Sequence, residues 1–201
     1  APDEADQPHL LYQRETSLEE WTQWIQQALQ VIEGGHLDKV VLAREMTLYG
    51  ERGFSVETVL SRLSEAYKGC SVFALDNGTS SFVGATPEAM VDLEEGSLSL
   101  SCLAGTAGRG VTPEEDQRLG RCLLDSPKDR REHAWVVDTI AATLGGVCEE
   151  LRWDATPRLI KLPTVQHLAT FFEGRPKAPC DILRLLDLLH PTPAVGGVPT
   201  E

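Results

Sequence analysis

No stretch of the 201-residue chain is apolar over enough consecutive residues to cross a bilayer as a helix. Basic residues are scarce: Lys and Arg number 18 against 31 Asp and Glu, a formal net charge of −13. Phosphates would be repelled over most of such a surface, which disfavours nucleic acid and anionic membranes as partners. A few local cations or a bound metal can still reverse the sign inside one cleft, so a small anionic substrate is not excluded. The five cysteines, Cys70, Cys102, Cys122, Cys148 and Cys180, are odd in number, widely spaced and without a CxxC pair. They predict reduced, mostly buried thiols in a cytoplasmic setting, with neither a disulfide frame nor a zinc site. Internal repeats, low-complexity tracts and a GxxxxGK[ST] phosphate loop are all missing. The first residues, APDEADQPHLLYQRE, are acidic and lack the basic-then-apolar pattern of a leader.

What is present is ordinary globular composition, 41% hydrophobic and 24% charged, enough for a sizeable core. Residues 1–15 read as a loose lead-in and 16–201 as the folded domain. Ser17 and Glu20 form a capping-box pattern ahead of Leu18, Trp21, Ile25, Leu29 and Ile32 at helical spacing, with Gly34-Gly35 as the stop. KVVLAREMTL, Lys39 to Leu48, predicts one strand, and Ser55 to Tyr67 a second helix. Asp76-Asn77-Gly78 and Glu94-Glu95-Gly96 each predict a hairpin turn between apolar runs. Thr112-Pro113 and Ser126-Pro127 open two helices, the second long and stopped by Gly145-Gly146. Leu159–Leu168 reads as a strand and Asp181–Leu189 as a last helix. The order predicts an α+β fold, an antiparallel sheet with helices on one face.

Several short segments carry candidate chemistry. Lys39 opens an apolar strand, so it is either solvated at the strand's wet end or turned into a cleft, where a desolvated lysine can serve as a general base. Glu88, in FVGATPEAM, is either a helix-start carboxylate or an acid held at a strand end. LAGTAGRG, Leu103 to Gly110, reads first as a plain loop, whose backbone N–H groups could otherwise hold a carboxylate or phosphate. SPKDRREH offers Asp129, Glu132 and His133 as metal ligands or as the charged first turn of an exposed helix. His167 sits among apolar residues in PTVQHLAT. HPTPAVGG, His190 to Gly197, is a rigid backbone that either approaches a ligand or forms a turn.

Taken in order, DKVVLAR, FVGATPEAMV, LAGTAGRG, LLDSPKDRREHAWVVDTI, LPTVQHLATFFEG and LLHPTPAVGGVP resemble the chorismate-utilising enzymes, the anthranilate synthase component I-like family, over roughly residues 17–199. Anthranilate synthases in that family usually carry Gln where Lys39 stands, and aminodeoxychorismate synthases place Lys at the position of Ala104. Lys39 with a non-lysine at 104 is similar to the water-using branch, and LHPTPAVGG resembles its isochorismate synthases more than its salicylate synthases.

The resemblance implies a fold of two antiparallel sheets flanked by helices, and a Mg²⁺-dependent conversion of chorismate to isochorismate, for menaquinone or siderophore synthesis. It implies Lys39 as general base on water attacking C2 and Glu88 as general acid on the departing C4 hydroxyl. Gly105 and Thr106 would hold a substrate carboxylate, Glu132 would bind Mg²⁺, His167 would lie beside the ring, and Ala194 would line the pocket. No glutamine amidotransferase partner is expected, since water replaces ammonia. Family members continue past HPTPAVGG with a second Mg²⁺-binding glutamate and with groups for the enolpyruvyl side chain. The domain is therefore expected to be partial, its C-terminal portion absent. The rival expectations are a non-catalytic remnant, a site completed by another chain, or a salicylate synthase that also releases pyruvate.

Overall fold

The computed structural model describes residues 10–178 and 180–199. It divides into two compact units, one of residues up to His36 with Leu42–Pro87, the other of Leu37–Val41 with Glu88 onward.

In the first unit, β1 (Leu10–Glu15) pairs antiparallel with β3 (Met46–Gly50). The expected lead-in is thus a strand from Leu10 onward, and its first nine residues lie outside the described ones. Helix α1 (Leu18–Glu33) starts as its sequence predicts. Ser17 Oγ accepts from Glu20 N at 3.1 Å, and the Glu20 carboxylate accepts from Ser17 N at 3.0 Å. Helix α2 (Val56–Ala66), capped by Ser55, packs on the hairpin of β4 (Ser71–Asp76) and β5 (Ser81–Thr86). Asn77 Oδ1 shapes that hairpin's loop by accepting from Thr79 N at 3.0 Å and Ser80 N at 2.9 Å.

The strand expected over Lys39–Leu48 is in fact two. β2 (Lys39–Val40) belongs to the second unit and pairs there, whereas β3 pairs with β1, so the chain changes partner across residues 41–45. Apolar, β-branched content marks a strand but not which neighbour it joins.

The second unit is built on a five-stranded antiparallel sheet. Its order is β6 (Asp92–Glu94), β7 (Ser97–Gly108), β10 (Val165–Pro176) and β8 (Cys148–Trp153), with β9 (Arg158–Lys161) also paired to β10. The β6–β7 turn is the expected one: Glu95 and Gly96 take φ of +50° and +78°, the pairing that a tight two-residue hairpin needs. Helices α3 (Pro113–Asp125) and α4 (Pro127–Val147) follow their predicted caps, Thr112 and Ser126, and the helix expected over Asp181–Leu189 is α5 (Ile182–Leu189), with Asp181 as its cap. Leu98, Leu100 and Cys102 alternate along β7 and meet Phe172 of β10, Val136, Ile140 and Leu144 of α4, and Leu185 and Leu189 of α5 in one buried cluster. Spacings of two on the strand and four on the helices are the periods that put those residues on single faces. Helices therefore cover the even-numbered face of β7, as an α+β fold predicts.

Three boundaries differ from expectation. β7 runs through the LAGTAGRG segment to Gly108, because a ten-residue ladder with β10 outweighs the poor strand propensity of its glycines. α4 continues through Gly145-Gly146 to Val147, and Lys177 Nζ donates to the Gly146 carbonyl at 3.2 Å at that end. The stretch read as one strand over Leu159–Leu168 is β9 and the start of β10, joined by Leu162-Pro163-Thr164. β8 was not anticipated: CEELRW is a charged edge strand without an apolar run. No helix among the described residues is long and apolar enough to cross a membrane.

Candidate active site

All the site residues expected from the sequence fall within the second unit. The centre of the arrangement is a bulge in β7. Leu168 pairs with Ala104, but the next residue of β10, His167, pairs with Thr106, leaving Gly105 as the extra residue. Gly105 has φ of +81°, a conformation that side-chain-bearing residues avoid. A Cβ there would also stand 3.2 Å from Leu168 Cδ1 and 3.3 Å from Asp129 Cβ. Strict alternation would put Thr106 on the helix-covered face with Ala104. The bulge moves it to the other face, where Thr106 Oγ1 lies 2.9 Å from His167 Nδ1. Burial lowers the His167 pKa, and a backbone hydrogen bond at Gly105 works in the opposite direction.

Glu88 sits beside the same strand. Its Oε1 accepts from Leu103 N at 3.1 Å, two residues before the bulge. Burial raises its pKa, and the backbone hydrogen bond offsets this only in part. The neighbouring Cys102 thiol is pushed up to about 12 by burial and by the charge of Glu88, so it is inert at neutral pH.

Lys39 is only 8% exposed. The segment after α5 holds it: Val198 pairs with Lys39 and Gly197 with Val40 across β2 and β11 (Gly197–Val198), Asp38 N donates to Val198 O at 2.7 Å, and Val41 N donates to Gly196 O at 3.1 Å. The Lys39 ammonium donates to the Pro193 carbonyl. Its pKa is lowered, first by burial and also by the Lys128 cation, while Glu132 acts to raise it. Of the two sequence readings, the turned-in lysine is the observed one. Ala194, half-buried, packs against the core cluster, and its N–H donates to Thr192 Oγ1 at 3.3 Å.

Glu132 stands in the first turns of α4, paired with Lys128 Nζ at 3.0 Å. His133, the adjacent candidate ligand, is buried and committed elsewhere. Its Nδ1 lies 3.1 Å from the Ala104 carbonyl and its Nε2 2.8 Å from Thr170 Oγ1. A carbonyl only accepts, so the proton is on Nδ1 and Nε2 accepts from the threonine. Desolvation lowers the His133 pKa, and the hydrogen bond to the Ala104 carbonyl works in the opposite direction. Among the described residues no group of three or more His, Cys, Asp or Glu is placed to hold a metal ion. Glu132 offers Mg²⁺ the right kind of donor, a hard carboxylate oxygen, but the donor number falls short of a protein-held site.

Sequence reasoning missed Lys128, though its spacing of four from Glu132 was readable. It also missed the Leu103 N–H and the Pro193 carbonyl, which carry no side-chain signal. Arg109 was unassigned within LAGTAGRG. It clamps Asp116 of α3 through Nε at 2.6 Å and Nη2 at 3.0 Å, with Lys161 Nζ also at 2.6 Å. These hydrogen bonds hold the Asp116 carboxyl well below the usual carboxylate range. The large open cavity of about 750 Å³ lined by Asp92, Glu94, Ser99, Glu150, Arg152 and Glu173 contains none of the candidate residues. It is a solvated charged surface at the other end of β7 and β10.

The sequence pattern of the family described as chorismate binding enzyme matches residues 1–201. The chain belongs to that family. Isochorismate synthase MenF of Bacillus subtilis is 37% identical over 196 residues, 98% of this chain and 42% of that protein. The salicylate biosynthesis isochorismate synthase of Pseudomonas aeruginosa is 40% identical over 191 residues, 93% of this chain and 40% of that protein. The menaquinone-specific isochorismate synthase MenF from Escherichia coli superposes with a TM-score of 0.87 at 29% identity, covering 96% of this chain and 46% of that one. Anthranilate synthase component I from Streptococcus pneumoniae, at 21% identity and a TM-score of 0.82, covers 97% of this chain and 42% of that one and shares the fold. The chain thus spans less than half the length of these relatives.

Proposed function

We propose that this chain supplies the acid–base machinery of an isochorismate synthase, converting chorismate to isochorismate by adding water at C2 as the C4 hydroxyl leaves. One observation carries the reading: a single unit buries Lys39 with its ammonium on the Pro193 carbonyl and holds Glu88 on the Leu103 N–H, and burial pushes the lysine pKa down and the glutamate pKa up. That pair of shifts is what a neutral base and a protonated acid near pH 7 require.

Neutral Lys39 takes a proton from the attacking water, and Glu88 gives its proton to the hydroxyl that departs as water. One water enters and one leaves, so the product is an isomer of the substrate. The Gly105 N–H and the Thr106 hydroxyl hold a substrate carboxylate, His167 orients the Thr106 hydroxyl and borders the ring, and Ala194 lines the site. Mg²⁺ would screen the carboxylate charges of a dianionic substrate in an acidic protein. Glu132 is the ligand this chain would contribute, through a hard carboxylate oxygen. The reading carries with it a cytoplasmic enzyme of menaquinone or siderophore synthesis, without a glutamine amidotransferase partner. That no group of three or more metal-ligating side chains is found among the described residues favours a second reading, a site that another polypeptide segment completes.

The test is product analysis with chorismate and Mg²⁺, using the protein in the longest form its reading frame encodes. Isochorismate without pyruvate supports the proposal. Pyruvate release marks a salicylate synthase instead, and ammonia-dependent aminated product would overturn the water-using assignment.

A further inference from the structure

Lys39 lies in a two-residue strand, too short to fix a long flexible side chain by itself. What faces its ammonium is a main-chain oxygen, the Pro193 carbonyl. The shape of the segment bearing that oxygen converges on one residue. Thr192 Oγ1 accepts from Ala194 N at 3.3 Å, and the Thr192 carbonyl accepts from both Val195 N and Gly196 N at 3.1 Å. Thr192 is itself buried, 8% exposed, and Pro193 beside it is fully buried. A hydroxyl bonded to the backbone two residues on closes a local turn. The pyrrolidine ring within that turn fixes one of its torsions. The same turn leads directly into Gly196 and β11, whose backbone pairs with Val41, Val40 and Lys39.

We propose that Thr192 is the positioning residue of Lys39: its hydroxyl holds the 192–196 turn in the shape that aims the Pro193 carbonyl at the lysine ammonium. The consequence for turnover rests on Lys39 being the base, as read above; the positional claim does not. Glu132 and Lys128 of α4 supply the charges around Lys39, and Thr192 supplies none, so its effect is on geometry.

The experiment is site-resolved acetylation of lysines with acetic anhydride, read by mass spectrometry on the wild type, Thr192→Val and Thr192→Ser. Valine keeps the volume and deletes the hydroxyl; serine restores it. Lys161, held on Asp116 in the same unit, serves as the internal reference. Lys39 is expected to react roughly fivefold faster in the valine variant, the effect of about one hydrogen bond. Lys161 should be unchanged, and the serine variant should match the wild type. An unchanged Lys39 rate in Thr192→Val overturns the proposal, and so does a parallel rise at Lys39 and Lys161, which would mean general loosening. In protein that turns over chorismate, Thr192→Val should lower kcat with KM held. Absence of turnover in the wild type would count against the function reading and leave the labelling result standing.

Discussion

Thr106 Oγ1 stands 2.9 Å from His167 Nδ1 because Gly105, between Ala104 and Thr106, takes no cross-strand partner. One inserted residue turns a threonine from the helix-packed face of β7 to the face that carries His167, with the first turn of α4 close against the bulge.

Gly105→Ala should therefore cost about 2 kcal/mol, from left-handed backbone strain and from a Cβ crowding Leu168 and Asp129. Urea unfolding measures it. A loss below about 0.5 kcal/mol, the range of ordinary surface changes, would show that the bulge has relaxed.

His133 makes stability depend on pH in a definite direction. Its folded pKa lies below the ordinary 6.5, so the unfolded chain takes up a proton first as pH falls. Stability is fully present above 6.5 and is lost as pH drops through 6.5 toward the folded value, and His167 acts in the same sense. Unfolding midpoints should fall between about pH 7 and pH 5, and His133→Gln should flatten that slope while lowering stability overall. A slope unchanged by the substitution would mean that other groups carry it.

Glu88 has the opposite linkage. Its folded pKa is raised above 4.5, so the cost of ionising it in place is absent below 4.5 and grows as pH rises through the folded value. Glu88→Gln should gain stability relative to the wild type as pH rises from 4.5 toward neutrality. In turnover, glutamine keeps the shape and loses the transferable proton, so chorismate should still bind while the rate constant collapses. A variant that loses affinity alone would make Glu88 a binding group.

Much of this arrangement was readable before the structure. The helix caps at Ser17, Thr112 and Ser126 gave three helix starts, because a cap is a local bond between near neighbours. The turned-in Lys39, the bulge and the β8 edge strand were not readable in that way. Each depends on a partner far along the chain: Lys39 on Pro193, Gly105 on the β10 register, β8 on Glu173 and its neighbours. The resemblance supplied the site residues as a set. The structure supplied the reasons that Lys39 and Glu88 have shifted acidity, and the reason His133 is a framework group and not a ligand.

Metal binding gives a further check. On the proposed reading Glu132 would be this chain's ligand for Mg²⁺, yet among the described residues no group of three or more His, Cys, Asp or Glu is placed to hold a metal ion, and Lys128 already pairs with Glu132. Titration of Mg²⁺ in the presence of chorismate should show weak binding and no turnover by this chain on its own, since Mg²⁺ sheds its waters reluctantly. Tight substrate-dependent binding would show that the residues present suffice.

The most direct test is the rate of isochorismate formation by Lys39→Ala beside the wild type, with the protein in the longest form its reading frame encodes. Isochorismate is followed through a coupled isochorismate-consuming enzyme, and circular dichroism checks that the fold is kept. Removal of a general base predicts a fall in kcat of roughly 10²–10⁴-fold with the spectrum unchanged. Near-normal turnover by a folded Lys39→Ala variant would contradict the assignment of Lys39 as the base.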